Sequence, residues 1–254
     1  MRFPFVTEPA TFLERPNRYL VVARLHQSGA VVRAHCPDPG RLRELLLPGV
    51  TVHVSAANLA GHKIVRKTAY DLRFVEHPEH GQLISLDSRL PNQIFWEGLH
   101  SGFFPPFRGF QSVTREAPML ARREGRVRSR IDFRLVDAHG RPCWVEVKSA
   151  TLVEGRTARF PDAVTARGKR HVDELAALAR QGERAAVVFI VQRPDADRLT
   201  PQWETDPAFS QALADAINAG VACYAYTCTL TLTEVTLARA IPVEIGIARP
   251  FCGA

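Results

Sequence analysis

The stretch from 130 to 149 constrains this chain most tightly. Arg130-Ile-Asp132-Phe-Arg134-Leu and Trp144-Val-Glu146-Val-Lys148-Ser each alternate polar and apolar residues with a period of two. Asp137-Ala-His-Gly140-Arg-Pro142 between them has turn chemistry. The pattern predicts an antiparallel hairpin centred on His139. In that register Ile131, Phe133 and Leu135 face Val147, Val145 and Cys143 on a wholly apolar side. The other side sets Arg130 across from Lys148, Asp132 across from Glu146 and Arg134 across from Trp144. A slip of one residue would bury the charges and expose the valines.

Two carboxylates therefore stand opposite each other. At a cross-strand spacing of about 5 Å their charges repel by roughly 3–4 kcal/mol at an effective dielectric near 20. A divalent cation offsets that most simply, and oxygen donors suit Mg²⁺ or Mn²⁺ rather than zinc. Lys148 shares the face of Glu146 and reaches a water or phosphate held there. A metal with two acids and a lysine is a phosphodiester-cleaving arrangement. The plain alternative is a solvated salt-bridge network among Asp132, Glu146, Arg130, Arg134 and Lys148. A helix expected over 91–100 offers a third acid, Glu97, as a further metal ligand.

Charge points to the substrate. Lys and Arg total 33 against 26 acids, a net +7, which favours a polyanionic partner such as nucleic acid. Arginines at 108, 115, 122, 123, 126, 128, 130 and 134 lead directly into the hairpin. Of these, Arg122, Arg123, Arg126, Arg128 and Arg130 are the candidate DNA-binding residues, with Gly125 loosening the loop. No aromatic residue interleaves with them, so phosphate contacts and weak sequence preference are expected.

Around this core the chain reads as two units. Residues 1–85 hold short strands at 19–25, 31–35, 50–55 and 72–75 and one helix at 41–47, the texture of an OB-like small β-barrel. Residues 86–254 run helix (91–100), strands (110–115, 130–136, 143–148), helix (163–181) and strand (185–191). A further helix (207–219) and strands at 221–226 and 231–237 follow. The order αβββαβ describes an α/β sheet domain. Val164, Val172, Leu175, Ala176 and Leu178 form the expected buried stripe of the long helix, with Asp162 as its N-cap. Arg167 and His171 share one helix face and are expected to support the site. Phe103, Phe104 and Phe107 read as core or as a plug at a domain interface, not as a platform for bases. The histidines at 53, 62, 77 and 80 show no metal spacing. Five scattered cysteines argue against a disulfide framework or a structural zinc site. With no long apolar run near Met1, a cytoplasmic protein is expected.

Asp132 followed by Glu146-Val-Lys148 on the next strand, after a helix bearing an acid, resembles the PD-(D/E)xK nuclease superfamily. Several segments are more closely similar to the sugar fermentation stimulation protein A family: Ser88-Arg-Leu-Pro-Asn92, Ser129-Arg-Ile-Asp-Phe133, Val145-Glu-Val-Lys148 and Thr151-Leu-Val-Glu154. Phe160-Pro-Asp-Ala-Val-Thr165, Arg167-Gly168 with His171, and Val191-Gln-Arg-Pro-Asp195 extend the likeness. The resemblance implies an OB-like first domain, a nuclease-like second domain with a mixed sheet, and DNA binding. It also implies Asp132 and Glu146 as metal ligands and Lys148 as the catalytic lysine. A non-catalytic DNA-binding regulator of sugar metabolism genes is the alternative function. His35-Cys36-Pro37-Asp38-Pro39-Gly40-Arg41-Leu42 departs from the family's first-domain signature, His-Cys-Pro-Asn-Thr-Gly-Ser-Met, in its Asn, Thr and Ser donors.

Overall fold

The computed structural model describes residues 1–57, 67–120 and 127–246. Six strands come first: β1 (Glu8–Asn17), β2 (Leu20–Leu25), β3 (Val31–His35), β4 (Thr51–Ala56), β5 (Tyr70–Glu76) and β6 (Leu83–Ser85). They are ordered β3-β2-β1-β4-β5-β6, and a parallel pairing of β3 with β5 closes the first five into a barrel. Register shifts at Phe12/Glu14 and Glu14/Asn17 let β1 bend around it. The interior is Ala10, Phe12, Val21, Ala23, Val52, Val54 and Leu72, all enclosed.

Two expectations for this half change. β1 and β6 add to the expected strands; Pro9 and Pro16 sit near the ends of β1, where a missing N–H is tolerated. Residues 41–47 form no helix. Leu42 takes φ +52°, and only one turn follows, with Leu46 N–H donating to Leu42 O at 2.9 Å. Leu42, Leu45 and Leu46 instead plug the barrel end.

The second half begins with α1 (Leu90–His100), then β7 (Phe110–Leu120), β8 (Val127–Asp137), β9 (Pro142–Ala150), β10 (Val153–Glu154) and β11 (Thr157–Phe160). After these come α2 (Ala166–Ala179), β12 (Arg184–Val191), β13 (Arg198–Pro201), α3 (Pro207–Asn218), β14 (Ala222–Leu230) and β15 (Val235–Ile241). The main sheet runs β15-β14-β12-β9-β8-β7, with β9, β12 and β14 parallel and the edges antiparallel. This is the expected αβββαβ order with a mixed sheet. β15 starts four residues later than expected, because Thr231–Glu234 close a turn in which Thr231 Oγ1 accepts from Glu234 N at 3.0 Å.

Each face of the sheet carries its own core. On one, α1 brings Phe95 against Phe104, Phe107 and Phe133, which fulfils the core assignment of the phenylalanine cluster. Gly98 makes that approach possible: a Cβ there would lie 2.3 Å from the Phe104 ring. On the other face, α2 and α3 pack Val172, Leu175 and Leu213 onto Val187 and Phe189. Val164 is outside this stripe and 69% exposed, because the helix begins only at Ala166. Its N-cap is Thr165, whose Oγ1 accepts from Gly168 N at 3.1 Å, and not Asp162. Among the described residues no helix is long and apolar enough to cross a membrane.

Candidate metal and phosphodiester site

The hairpin forms in the expected register over Phe133↔Val145, Arg134↔Trp144, Leu135↔Cys143 and Val136↔Pro142. The ladder ends there, and β8 continues against β7 while β9 continues against β12. At this fork Ile131 leaves the face of Phe133 and Leu135 and packs with the α2–α3 core, contrary to the simple alternation. The partner strand carries Glu116 at φ +49° beside the same point. Arg130 is exposed, and its guanidinium donates to Glu116 O at 3.2 Å.

Asp132 fills the fork. Its Oδ2 accepts from Val147 N at 2.8 Å, taking the place of a ladder bond, and its Oδ1 accepts from Asn92 Nδ2 of α1 at 2.9 Å. Asp132 N points to Glu146 Oε2 at 3.4 Å, so the two acids lie side by side across the gap. Glu146 is 3% exposed, and its Oε1 takes both Lys148 Nζ and His171 Nδ1 at 2.5 Å. The alternation on β9 that sets Glu146 and Lys148 on one face aims both toward α2, where His171 waits one turn beyond Arg167.

Electrostatics divide the pair. Burial, then the neighbouring Glu146 charge, push Asp132 up to about 6, against the opposing pull of Val147 N–H, Lys148 and Asn92. Burial also works to raise Glu146, but the hydrogen bond from His171 and the charge of Lys148 outweigh it and leave that carboxyl below its ordinary value. An enclosed acid and a half-buried one, the latter held at an energetic cost, make a hard-oxygen donor set that a divalent cation would relieve. The fit to Mg²⁺ or Mn²⁺ is therefore good.

Not every candidate joins them. Glu97 is turned away: its Oε1 accepts from Gln93 and its Oε2 lies 3.4 Å from the Met1 amino group. α1 contributes Asn92 instead, one and a half turns earlier, a residue noticed in the sequence only as part of a longer motif. Arg167 is exposed and makes no described contact with Glu146. Arg122, Arg123 and Arg126 lie outside the described residues, and Arg128 is placed only through its backbone in β8. The β5–β6 turn gathers His77, Glu79 and His80 with ligand atoms within 4.8 Å, closer than their spacing suggested.

The barrel meets the second half along a seam that reaches Lys148. Asp38 Oδ1 accepts from Gly40 N at 2.8 Å and Oδ2 from Thr151 Oγ1 at 3.4 Å, while Asp162 Oδ2 accepts from Leu42 N at 2.7 Å. Ser88 Oγ donates to Pro37 O at 2.8 Å. The altered loop at 35–42 is thus the seam between the two halves. Lys148, Ser88, Thr151 and Gly40 wall a cavity of about 300 Å³ along it.

Residues 13–86 match the SfsA N-terminal OB domain, and residues 89–234 match the Sugar fermentation stimulation protein RE domain. The chain belongs to the sugar fermentation stimulation protein family. A family homologue from Moorella thermoacetica is 48% identical over 236 residues, 93% of this chain and 96% of its own length. One from Chloroflexus aurantiacus is 41% identical over 243 residues, 95% and 88% of the two chains. The structure of Pyrococcus furiosus SfsA in complex with Ca²⁺ superposes with a TM-score of 0.80 at 32% identity, covering 96% of this chain and 99% of that one. The family's two domains correspond to the barrel and the α/β sheet described above.

Proposed function

We propose that this family member binds DNA and cleaves its phosphodiester backbone with Mg²⁺ or Mn²⁺ held by Asp132 and Glu146. The observation that carries the reading is the convergence of a buried carboxylate, a half-buried one and Lys148 at a fork between strands. The complex of the Pyrococcus furiosus relative with Ca²⁺, another hard oxygen-seeking cation, supports a divalent ion in this fold.

Each residue has a role that its contacts fit. Asn92 and Val147 N–H hold the Asp132 carboxylate in place. His171 and Lys148 keep Glu146 ionised while it is enclosed. A divalent ion held by Asp132 and Glu146 would supply Lewis-acid polarisation of the phosphate and would lower the pKa of water. Lys148 would orient the attacking water or stabilise the charge that develops on the phosphoryl oxygens. Arg122, Arg123, Arg126, Arg128 and Arg130 supply phosphate contacts with little sequence preference.

Incubating the protein with plasmid, single-stranded DNA and branched DNA in Mg²⁺, Mn²⁺ and EDTA tests the proposal. Cleavage of at least one form with metal, and of none in EDTA, is expected. Binding without cleavage in every condition would leave the regulator of sugar metabolism genes as the function.

A further inference from the structure

Two recesses adjoin, and Lys148 lines the smaller of them. One is the 300 Å³ cavity at the seam; the other, about 660 Å³, is a trough along the barrel rim lined by Arg18, Arg41 and Arg43. They share the wall formed by Arg18, Pro39, Gly40 and Val164.

The shared wall is rigidly built. Arg15 donates through Nη1 to Gly40 O and Arg41 O, each at 2.8 Å, and through Nη2 to Arg18 O at 2.7 Å and Asp38 O at 2.9 Å. Four carbonyls from two chain segments are gathered by one guanidinium. The acids at the seam are engaged too, since Asp38 and Asp162 accept backbone and hydroxyl donors as described. A Cβ on Gly40 would lie 2.8 Å from Asp162 Oδ2 and 2.9 Å from Asp38 Oδ1, so the loop passes directly over both carboxylates.

The rim arginines differ from this. Arg18, Arg41 and Arg43 are exposed, and among the described residues none makes a side-chain hydrogen bond or ion pair. Arg89, Arg156 and Arg193, by contrast, each hold an acid at 2.5–2.7 Å. Three exposed guanidiniums along one trough, of which only Arg41 is drawn to a nearby acid, Asp162, repel one another and attract a polyanion. The exposed Val164 adds an apolar lip at the junction with the cavity. That cavity is at the low end of small-molecule sites, room for one nucleotide and not for a paired, stacked duplex.

We infer that the trough takes a single strand of nucleic acid, leading its phosphates past Arg43, Arg41 and Arg18 so that one unstacked nucleotide enters the cavity beside Lys148. The inference deepens the cleavage reading, resting on it only for what happens to that nucleotide. Stacking against the apolar lip and phosphate pairing on the rim both serve a strand whose bases are free.

The test uses the full chain in EDTA, where binding is separated from cleavage. Fluorescence anisotropy is read on labelled single-stranded DNA, single-stranded RNA of the same sequence, and the DNA duplex. The variant Arg18→Ala/Arg41→Ala/Arg43→Ala is compared with Arg108→Ala/Arg180→Ala/Arg198→Ala, which removes equal charge from residues outside the trough. The trough variant should lose roughly tenfold or more in single-strand affinity and about 2 in the slope of log K against log salt. The control variant should match the wild type more closely. Preference for DNA or for RNA identifies the strand's sugar and supports the inference either way. Equal losses in both variants, or a trough variant that weakens duplex binding as much as single-strand binding, would overturn it. Those outcomes leave a duplex nuclease standing, whereas failure of all cleavage with Mg²⁺ or Mn²⁺ removes the nuclease and not the trough.

Discussion

His171 Nδ1 lies 2.5 Å from Glu146 Oε1, and the two side chains are 2% and 3% exposed. A carboxylate so enclosed depends on its donors, because an unmet charge in the interior is costly. His171→Ala removes one of the two side chains bonded to Glu146 Oε1 and should cost about 1–3 kcal/mol in urea melts. His171→Asn, which places an amide donor near the same spot, should recover part of the loss. Weakened Mn²⁺ affinity in both variants, in step with the lost hydrogen bond, separates positioning of Glu146 from simple packing.

Lys148 stands at 12% side-chain exposure, tied to the same oxygen. One enclosed lysine adds little to a binding surface made of exposed arginines, yet no other described cation shares its place beside Glu146 on β9. Lys148→Ala should therefore abolish cleavage and leave DNA affinity within a few-fold, as measured by gel cleavage and anisotropy on the same preparation.

The seam is expected to respond to pH. Burial raises Asp38 to about 6, against the hydrogen bond from Gly40. The folded protein thus holds that proton more tightly than the unfolded chain does. Its contribution to stability is fully present below about pH 4 and is lost as pH rises through about 6. Asp38→Asn keeps an acceptor for Gly40 N and a donor for Thr151 Oγ1 without the charge. At pH 8 it should be more stable than wild type by about 1–3 kcal/mol, and the gap should close toward pH 4. Denaturant melts in EDTA across that range give the answer; a gap that widens on acidification would contradict it.

On the proposed function, duplex DNA is expected to meet the basic stretch ahead of β8. Each phosphate contact contributes about 0.9 to the slope of log K against log salt on B-DNA, so Arg122→Ala/Arg123→Ala/Arg126→Ala should flatten it by about 2–3. An unchanged slope would remove this loop from the duplex surface.

Much of the architecture was legible because it rests on short-range pattern. Alternation fixed the register of residues 133–136 against 142–145, and the apolar run at Ala185–Val191 marked the central strand β12. What escaped depends on contacts remote in sequence. Asn92 meets Asp132 across forty positions, and nothing in its own neighbourhood marks it as a partner. Asp162 had the composition of a helix cap, but its carboxylate is taken by Leu42 N from the other domain, and Thr165 caps instead. The same bond accompanies Leu42 in a left-handed conformation that breaks the expected helix at 41–47. Glu97 failed for a related reason: the amino terminus lies beside it, and β15 holds that terminus through Met1 N donating to Val235 O at 2.8 Å.

The central claim is that Asp132 and Glu146 form a divalent-metal site and not a structural ion-pair network. Melting curves of wild type and Asp132→Asn, each with EDTA and with millimolar Mn²⁺, test it without knowledge of the substrate. Relief of like-charge repulsion offsets the altered bond to Asn92, so the variant in EDTA should melt at or slightly above the wild type. Mn²⁺ should raise the melting temperature of the wild type and leave the variant unmoved. A wild type indifferent to metal, with Asp132→Asn clearly destabilised in EDTA, would contradict the account.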